Sequence, residues 1–239
     1  MRNRLVLILF FLVLVLFQGN LWGQKQKPKN QSWYDDKLLH FGFSLGLNAM
    51  DFNITPSEKY FKTDSLYPEV AKLNPGINIQ IVTDLHPAKY VDIRFLPGVS
   101  FGQRNVRYYK NKVLYNDQQR LESSFLEFPL LFKFKGSRLN NVRPYVIAGL
   151  NYRYDLAAKK EIIPEERPVY IRIKKPDFYY ETGAGLDFYL TYFKLSVELK
   201  MSNGLRNVIV DDAPAGYAQY RDAIEKMKSQ IWVLAFHFE

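Results

Sequence analysis

Residues 180–202 fall into two runs of strict alternation, and that pattern limits what the chain can become. Tyr180, Thr182, Ala184, Leu186 and Phe188 interleave with Glu181, Gly183, Gly185 and Asp187. After a short break, Phe193, Leu195, Val197, Leu199 and Met201 interleave with Lys194, Ser196, Glu198, Lys200 and Ser202. Successive side chains of a strand point to opposite faces, so the segment reads as a β-hairpin with one apolar or neutral face and one face holding every charge and glycine. With Leu190 and Thr191 as its turn, Asp187 stands opposite Lys194 and Glu181 opposite Lys200, complementary pairs on the polar face. A soluble sheet covers its apolar face with a second layer, whereas a transmembrane barrel turns that face to lipid and keeps charge inside.

The same period recurs upstream and downstream. Leu39, Phe41, Phe43, Leu45 and Leu47 alternate with His40, Gly42, Ser44, Gly46 and Asn48, giving a first strand. Ile77, Ile79 and Ile81 begin a second, with Asp84 on its polar side, and Val91, Ile93, Phe95, Val99 and Phe101 set a third against Asp92, Arg94, Ser100 and Arg104. A fourth opposes Leu126, Phe128, Leu130, Phe132 and Phe134 to Glu127, Lys133 and Lys135, and a fifth opposes Val146, Ala148, Leu150, Tyr152 and Tyr154 to Arg143, Asn151 and Arg153. The opening hairpin supplies the sixth and seventh, and residues 230–238 the eighth. Connections alternate between short (86–89, 136–141, 190–191) and long (53–75, 105–120, 155–176, 203–229). That asymmetry predicts an all-β fold, an eight-stranded antiparallel up-and-down transmembrane β-barrel with short periplasmic turns and long external loops. Within the last long loop, Tyr217, Tyr220, Ile224 and Met227 have near-helical spacing and predict a short helix inside 214–228.

The amino terminus agrees with export. Arg2 and Arg4 precede thirteen uninterrupted apolar residues, 5–17, and Gly23 precedes a polar stretch, so residues 1–23 read as a secretory signal peptide, 24–36 as a polar lead and 37–239 as the barrel. The apolar run is shorter than the roughly twenty residues that a membrane-crossing helix needs. Aromatic residues make up 16% of the chain, as expected where rings line two membrane interfaces. The localisation expected is the outer membrane, with its lipid as one partner. Net charge is +9, but Lys and Arg are spread along the whole chain instead of clustering on one element, which argues against a nucleic-acid partner. With no cysteine, disulfides, thiolate catalysis and cysteine metal sites are excluded.

Searching the pattern for chemistry yields no catalytic, cofactor-binding or metal residue. Residues 42–46 and 98–102 both match G-x-S-x-G, yet a nucleophile elbow needs a strand-to-helix turn, and both matches lie inside alternating strands. Their glycines relieve crowding in a narrow lumen instead. His40, His86 and His237 share no metal-ligand spacing, and His40 and His237 fall near the seam where strands one and eight close the ring. The pairs Glu165-Glu166 and Asp211-Asp212 read as exposed loop charges. What remains is the polar face itself: Asp92, Arg94, Glu127, Lys133, Arg143, Arg153, Glu181, Asp187, Lys194, Glu198 and Lys200. An eight-stranded barrel is just wide enough for side chains to fill it, so these form an ion-paired structural plug, with a narrow pore or proton path as the rival reading.

Particular segments carry a family resemblance. Leu126-Glu127-Phe128-Pro129-Leu130-Leu131-Phe132-Lys133, followed by Arg143-Pro144-Tyr145 and Gly149, resembles the strand four to five region of outer-membrane β-barrel proteins of the Bacteroidota. Ser202-Asn203-Gly204-Leu205-Arg206-Asn207 and the ending His237-Phe238-Glu239 resemble the PorT family. The resemblance implies a component of the type IX secretion system, which exports cargo across the outer membrane and in some species supports gliding motility. It implies other secretion-system proteins as partners and no enzymatic activity. The alternatives are a generic small barrel for envelope anchoring or adhesion through its external loops, and a membrane-embedded enzyme acting on lipid. Oligomeric state is left open.

Overall fold

The computed structural model describes residues 29–58, 66–71, 74–110, 113–158, 171–211 and 218–239. The signal-peptide segment, Glu165, Glu166, Asp212 and the first part of the predicted helix lie outside the described residues. Ten strands follow a short 3₁₀ turn at Ser32–Asp36: β1 Leu39–Pro56, β2 Leu66–Ala71, β3 Pro75–Ala88, β4 Val91–Phe95, β5 Gly98–Lys110, β6 Val113–Lys135, β7 Val142–Asp155, β8 Pro176–Tyr189, β9 Lys194–Gly204 and β10 Ile224–Phe238. All pair antiparallel.

The ring is eight-stranded because β4 and β5 are one strand broken at Leu96 and Pro97. Both halves pair with β3 on one side and β6 on the other in an unbroken register, Thr83 facing Phe95 and Ile77 facing Phe101. Proline has no N–H to donate to the ladder, which interrupts the pairing without changing which side chains point inward. The sheet closes where β1 pairs with both β10 and β3, so the ring has no free edge, and β2 adds to the outer part of β5.

Through the middle of the wall the sequence period becomes two environments. Phe43, Leu45, Leu47, Ile79, Ile81, Leu130, Phe132, Val146, Leu150 and Leu199 face outward and are exposed, while the interleaved polar residues are buried. Trp33, Tyr90 and Tyr192 lie exposed at the end with the short turns, where both termini of the described chain also sit. That end is the periplasmic one.

Three expectations need correction. The hairpin of β8 and β9 turns through Leu190–Phe193, whose ends bond as Leu190 N to Phe193 O, and its register differs by two residues from a two-residue turn. Asp187 therefore faces Ser196, Glu181 faces Ser202, and Lys194 faces Tyr189. The physical reason is that a two-residue hairpin turn requires positive φ at its centre, which neither Leu nor Thr supplies. Secondly, much of the chain read as long external loop is strand: β5 and β6 run on to Lys110 and from Val113, and β10 starts at Ile224. Thirdly, the described part of the predicted helix is α1 Ala218–Asp222, and Ile224 and Met227 belong to β10.

Candidate functional site: the barrel interior

All eleven polar-face residues singled out from sequence point inward and are buried. Each lies on an alternating strand whose outward neighbours are apolar, so lipid outside fixes their direction. They separate into three groups along the barrel axis.

Toward the outer end, Arg153 on β7 bridges Glu127 (Nε to Oε1, 3.1 Å) and Glu181 (Nη2 to Oε1, 3.0 Å), and Lys200 reaches the other oxygen of Glu181 at 3.2 Å. Hydroxyls and amides complete the cluster: Ser202 and Asn151 donate to Glu181 at 2.6 and 2.8 Å, and Ser100 and Gln80 donate to Glu127 at 2.5 and 2.7 Å. A buried carboxylate is tolerable only when paired and hydrogen-bonded, and both of these are.

Nearer the periplasm, Arg94 on β4 reaches three carboxylates: Asp84 at 2.8 Å, Glu239 at 3.1 Å and Glu198 at 3.5 Å. Tyr145 donates its hydroxyl to Glu198 at 2.9 Å, and His237 lies 3.5 Å from the same carboxylate. Lys133 binds Asp187 at 2.8 Å with its ammonium 4.0 Å from the Tyr145 ring centre, and Ser196 donates to Asp187 at 2.5 Å. Asp187 thus takes its cation from β6, past the intervening β7, and not from the facing strand as the two-residue turn implied.

The third group forms the periplasmic mouth, and here the polar lead joins the barrel. Tyr34 inserts from the 3₁₀ turn, donates to Glu239 Oε2 at 2.6 Å, stacks on His40 with ring centres 3.8 Å apart, and carries Lys194 over its other neighbourhood at 4.4 Å. Lys194 binds Glu239 at 2.9 Å. Asp35 meets Arg143 in a two-pronged pair, and Asn30 bonds Asn141 and the Tyr189 carbonyl. Asp92 is held by Lys135 at 2.7 Å and by His86. Burial and the charge of Glu239 push the Tyr34 phenol far above its ordinary range, so it acts only as a donor.

The outer end is closed differently. Phe52, Val106, Tyr108, Leu121, Ile224 and Met227 point inward above the membrane band and pack with Ile171, Ile173, Val208 and Ile209 into an apolar cap. Tyr108 donates to the Tyr220 carbonyl at 2.9 Å, tying α1 onto the cap.

Buried acids and bases are near balance among the described residues: eight of each lie along the wall, and the Glu239 side chain adds one more carboxylate. The buried carboxylates among the described residues are Asp84, Asp92, Glu127, Asp155, Asp177, Glu181, Asp187 and Glu198, and the buried cations are Arg94, Arg104, Lys133, Lys135, Arg143, Arg153, Lys194 and Lys200. Five of these escaped the sequence list. Asp84, Arg104 and Lys135 stand on the polar side of the predicted strands, whereas Asp155 falls in the segment that reads as a loop and Asp177 between that segment and the next predicted strand. Tyr34, Asp35 and Glu239 have no periodic signal at all. Among the described residues no three His, Asp or Glu side chains converge as a metal-ligand set.

A closed eight-stranded ring with a lipid-exposed apolar wall and a buried polar lumen is the architecture of an outer-membrane barrel. The family model described as outer membrane protein beta-barrel domain matches residues 22–210. The chain belongs to this family. It is an integral outer-membrane β-barrel protein. This barrel is similar to the outer membrane protein OprG from Pseudomonas aeruginosa, at 13% identity over 84% of this chain and 92% of that one, with a TM-score of 0.46. It is similar also to the N-terminal β-barrel domain of Pseudomonas aeruginosa OprF, at 11% identity over 83% and 99%, with a TM-score of 0.34. No curated protein sequence matches the outer-membrane barrel described here.

Proposed function

We propose that this barrel is a sealed, non-enzymatic accessory or assembly component of type IX protein secretion, acting through protein contacts, with a part in gliding motility where that system drives it. The observation that carries the sealed reading is closure at both ends of an ion-paired lumen: Tyr34 on Glu239 at one mouth, and the Tyr108 cap at the other. An interior of eight strands is too narrow for folded cargo, and its filling by paired groups supports a plug over a pore or a proton path. The eleven inward charges then serve as the plug that holds the wall, each stabilised by a partner. Pathway membership rests on the resemblance of residues 202–207 and 237–239 to the PorT family.

Against lipid enzymology stands the placement of the two candidate serines. Ser44 and Ser100 are 1% and 0% exposed and face the lumen, out of reach of any acyl chain in the membrane. Envelope anchoring or adhesion is favoured by one feature, the wall that β2, β5 and β6 raise beyond the lipid-facing band. Deletion of the gene separates the two readings. Loss of cargo from the medium, restored by a plasmid copy, is the expected result. Normal cargo export with reduced surface attachment would replace the secretion reading by the adhesive one.

A further inference from the structure

A basic cleft opens on the lipid-facing side of the wall, just beyond an aromatic row. The row runs across three strands in register: Phe128 on β6, Tyr152 on β7 and Phe178 on β8. Phe128 and Tyr152 stack at 6.4 Å, and Tyr152 meets Phe178 at 5.0 Å between ring centres. Aromatic rings in such a row mark the depth of the membrane interface. Immediately above lie Lys174, Lys175 and Arg206, around an open cleft of about 770 Å³ shared with Tyr154 and Asn207. Among the described residues, the lining contains three cations and no carboxylate.

These cations are built into the wall. Lys175 lies over the Tyr154 ring at 5.8 Å, and Arg206 over the Phe178 ring at 5.2 Å. Lys174 donates to the Asn207 carbonyl at 3.3 Å, and Asn207 in turn donates to the Glu225 carbonyl. The Glu225 carboxylate is engaged by Lys226 at 3.3 Å, and Asp177 beside the cleft is buried, its carboxylate accepting from the Phe178 and Arg206 backbone N–H groups. Backbone bonds from Leu205 N to Phe178 O and from Lys174 N to Val208 O hold both rims of the cleft to the sheet.

We propose that this cleft binds the phosphate groups of an anionic glycolipid in the outer leaflet, with the acyl chains lying down the Phe128, Tyr152 and Phe178 row. The position decides the ligand. A group bound here sits at headgroup depth on the exterior of the wall, where phosphates of the surrounding leaflet are the abundant anions. Arginine offers a planar fork that suits phosphate, and lysine stems can cross the aromatic belt while their ammonium groups stay in the polar layer.

The test uses the full mature barrel in detergent micelles, titrated with diphosphorylated lipid A, with its dephosphorylated form and with inorganic phosphate. Combined Lys174→Ala, Lys175→Ala and Arg206→Ala substitution should weaken binding of diphosphorylated lipid A on the order of a hundred-fold, the loss expected for three interfacial cations. Lys89→Ala, at the opposite mouth, should leave it unchanged. A single Arg206→Gln change gives a smaller loss in the same direction and serves if the triple variant does not insert. Unchanged affinity in these variants overturns the proposal. So does equal binding of dephosphorylated lipid A, or an equal effect of Lys89→Ala. Saturation by inorganic phosphate as tightly as by the lipid overturns the lipid as the ligand.

Discussion

Arg143 closes on Asp35 across 108 residues of sequence, donating Nη1 to Oδ1 at 2.9 Å and Nη2 to Oδ2 at 2.8 Å. The pair fastens the polar lead into the periplasmic mouth, beside Tyr34 and its bond to Glu239. Burial pushes the Asp35 carboxyl up, but the hydrogen bonds and charge of Arg143 outweigh it and hold the group below the ordinary aspartate value. A depressed folded value means the stabilisation is present above the ordinary value and lost as pH falls through the folded one. The lead should therefore dock fully at neutral pH and loosen below about pH 4. Trp33 emission, read in a Trp232→Phe background, should shift on acidification, and Asp35→Asn should abolish most of that shift. A transition unaltered by Asp35→Asn would place the pH sensitivity elsewhere.

Removing Arg94 should be far costlier than removing Asp35. Its guanidinium is fully buried and serves Asp84, Glu198 and Glu239 together. Arg94→Ala takes from Asp84 its cation and from Glu198 and Glu239 one partner each, and breaking a buried pair of this kind costs about 3–5 kcal/mol. Arg94→Lys should recover only part of that, because an ammonium cannot span three acceptors as a fork does. The temperature at which heat-modifiable gel mobility is lost should fall sharply for Arg94→Ala and less for Arg94→Lys. Equal values for the two variants would show that the fork geometry contributes nothing.

The middle of this wall was legible in the sequence because one physical rule governs it: apolar out, polar in, with period two. Leu199 and Lys200, or Phe132 and Lys133, announce their faces directly. Above the membrane the rule reverses. Phe52, Val106 and Leu121 point inward there, while Asn53, Arg107 and Glu122 point toward water. The period continues but its sense inverts, so the strands seem to end where the inversion begins and their outer thirds read as loops. The lead was illegible for another reason. Tyr34 and Asp35 act by tertiary contact from a short 3₁₀ turn, and no periodicity marks a residue that docks alone. Hairpin register was misjudged because turn length, not strand pattern, sets it.

Gly185 gives a prediction on crowding. The Tyr145 ring lies against it across the β7–β8 pair, and a Cβ there would come within 2.5 Å of the ring and 2.6 Å of the Val197 carbonyl oxygen. Gly185→Ala should destabilise the barrel by about 1–3 kcal/mol, the usual cost of overpacking. Adding Tyr145→Ala relieves only the ring contact, since the Val197 oxygen stays, and it also removes the hydroxyl that donates to Glu198. The double variant should therefore be no more stable than Gly185→Ala alone in denaturant titrations. A clear rescue would mean that the ring is the sole obstacle.

Two leucines separate lipid from water on the outside of the wall. Leu199 sits midway along β9 and Leu114 near the tip of the β5–β6 hairpin, and they are 53% and 52% exposed, so exposure alone does not distinguish them. Their surroundings should. An arginine at the bilayer midplane of a barrel costs about 2–4 kcal/mol, falling to near zero toward the interfaces. Leu199→Arg should therefore destabilise the protein by about that amount in lipid vesicles, and Leu114→Arg should be close to neutral. Comparable losses at both positions would put the hairpin tip in lipid and shift the membrane band outward. A neutral Leu199→Arg would move the band off β9 and with it the interface on which the aromatic row and its basic cleft are placed.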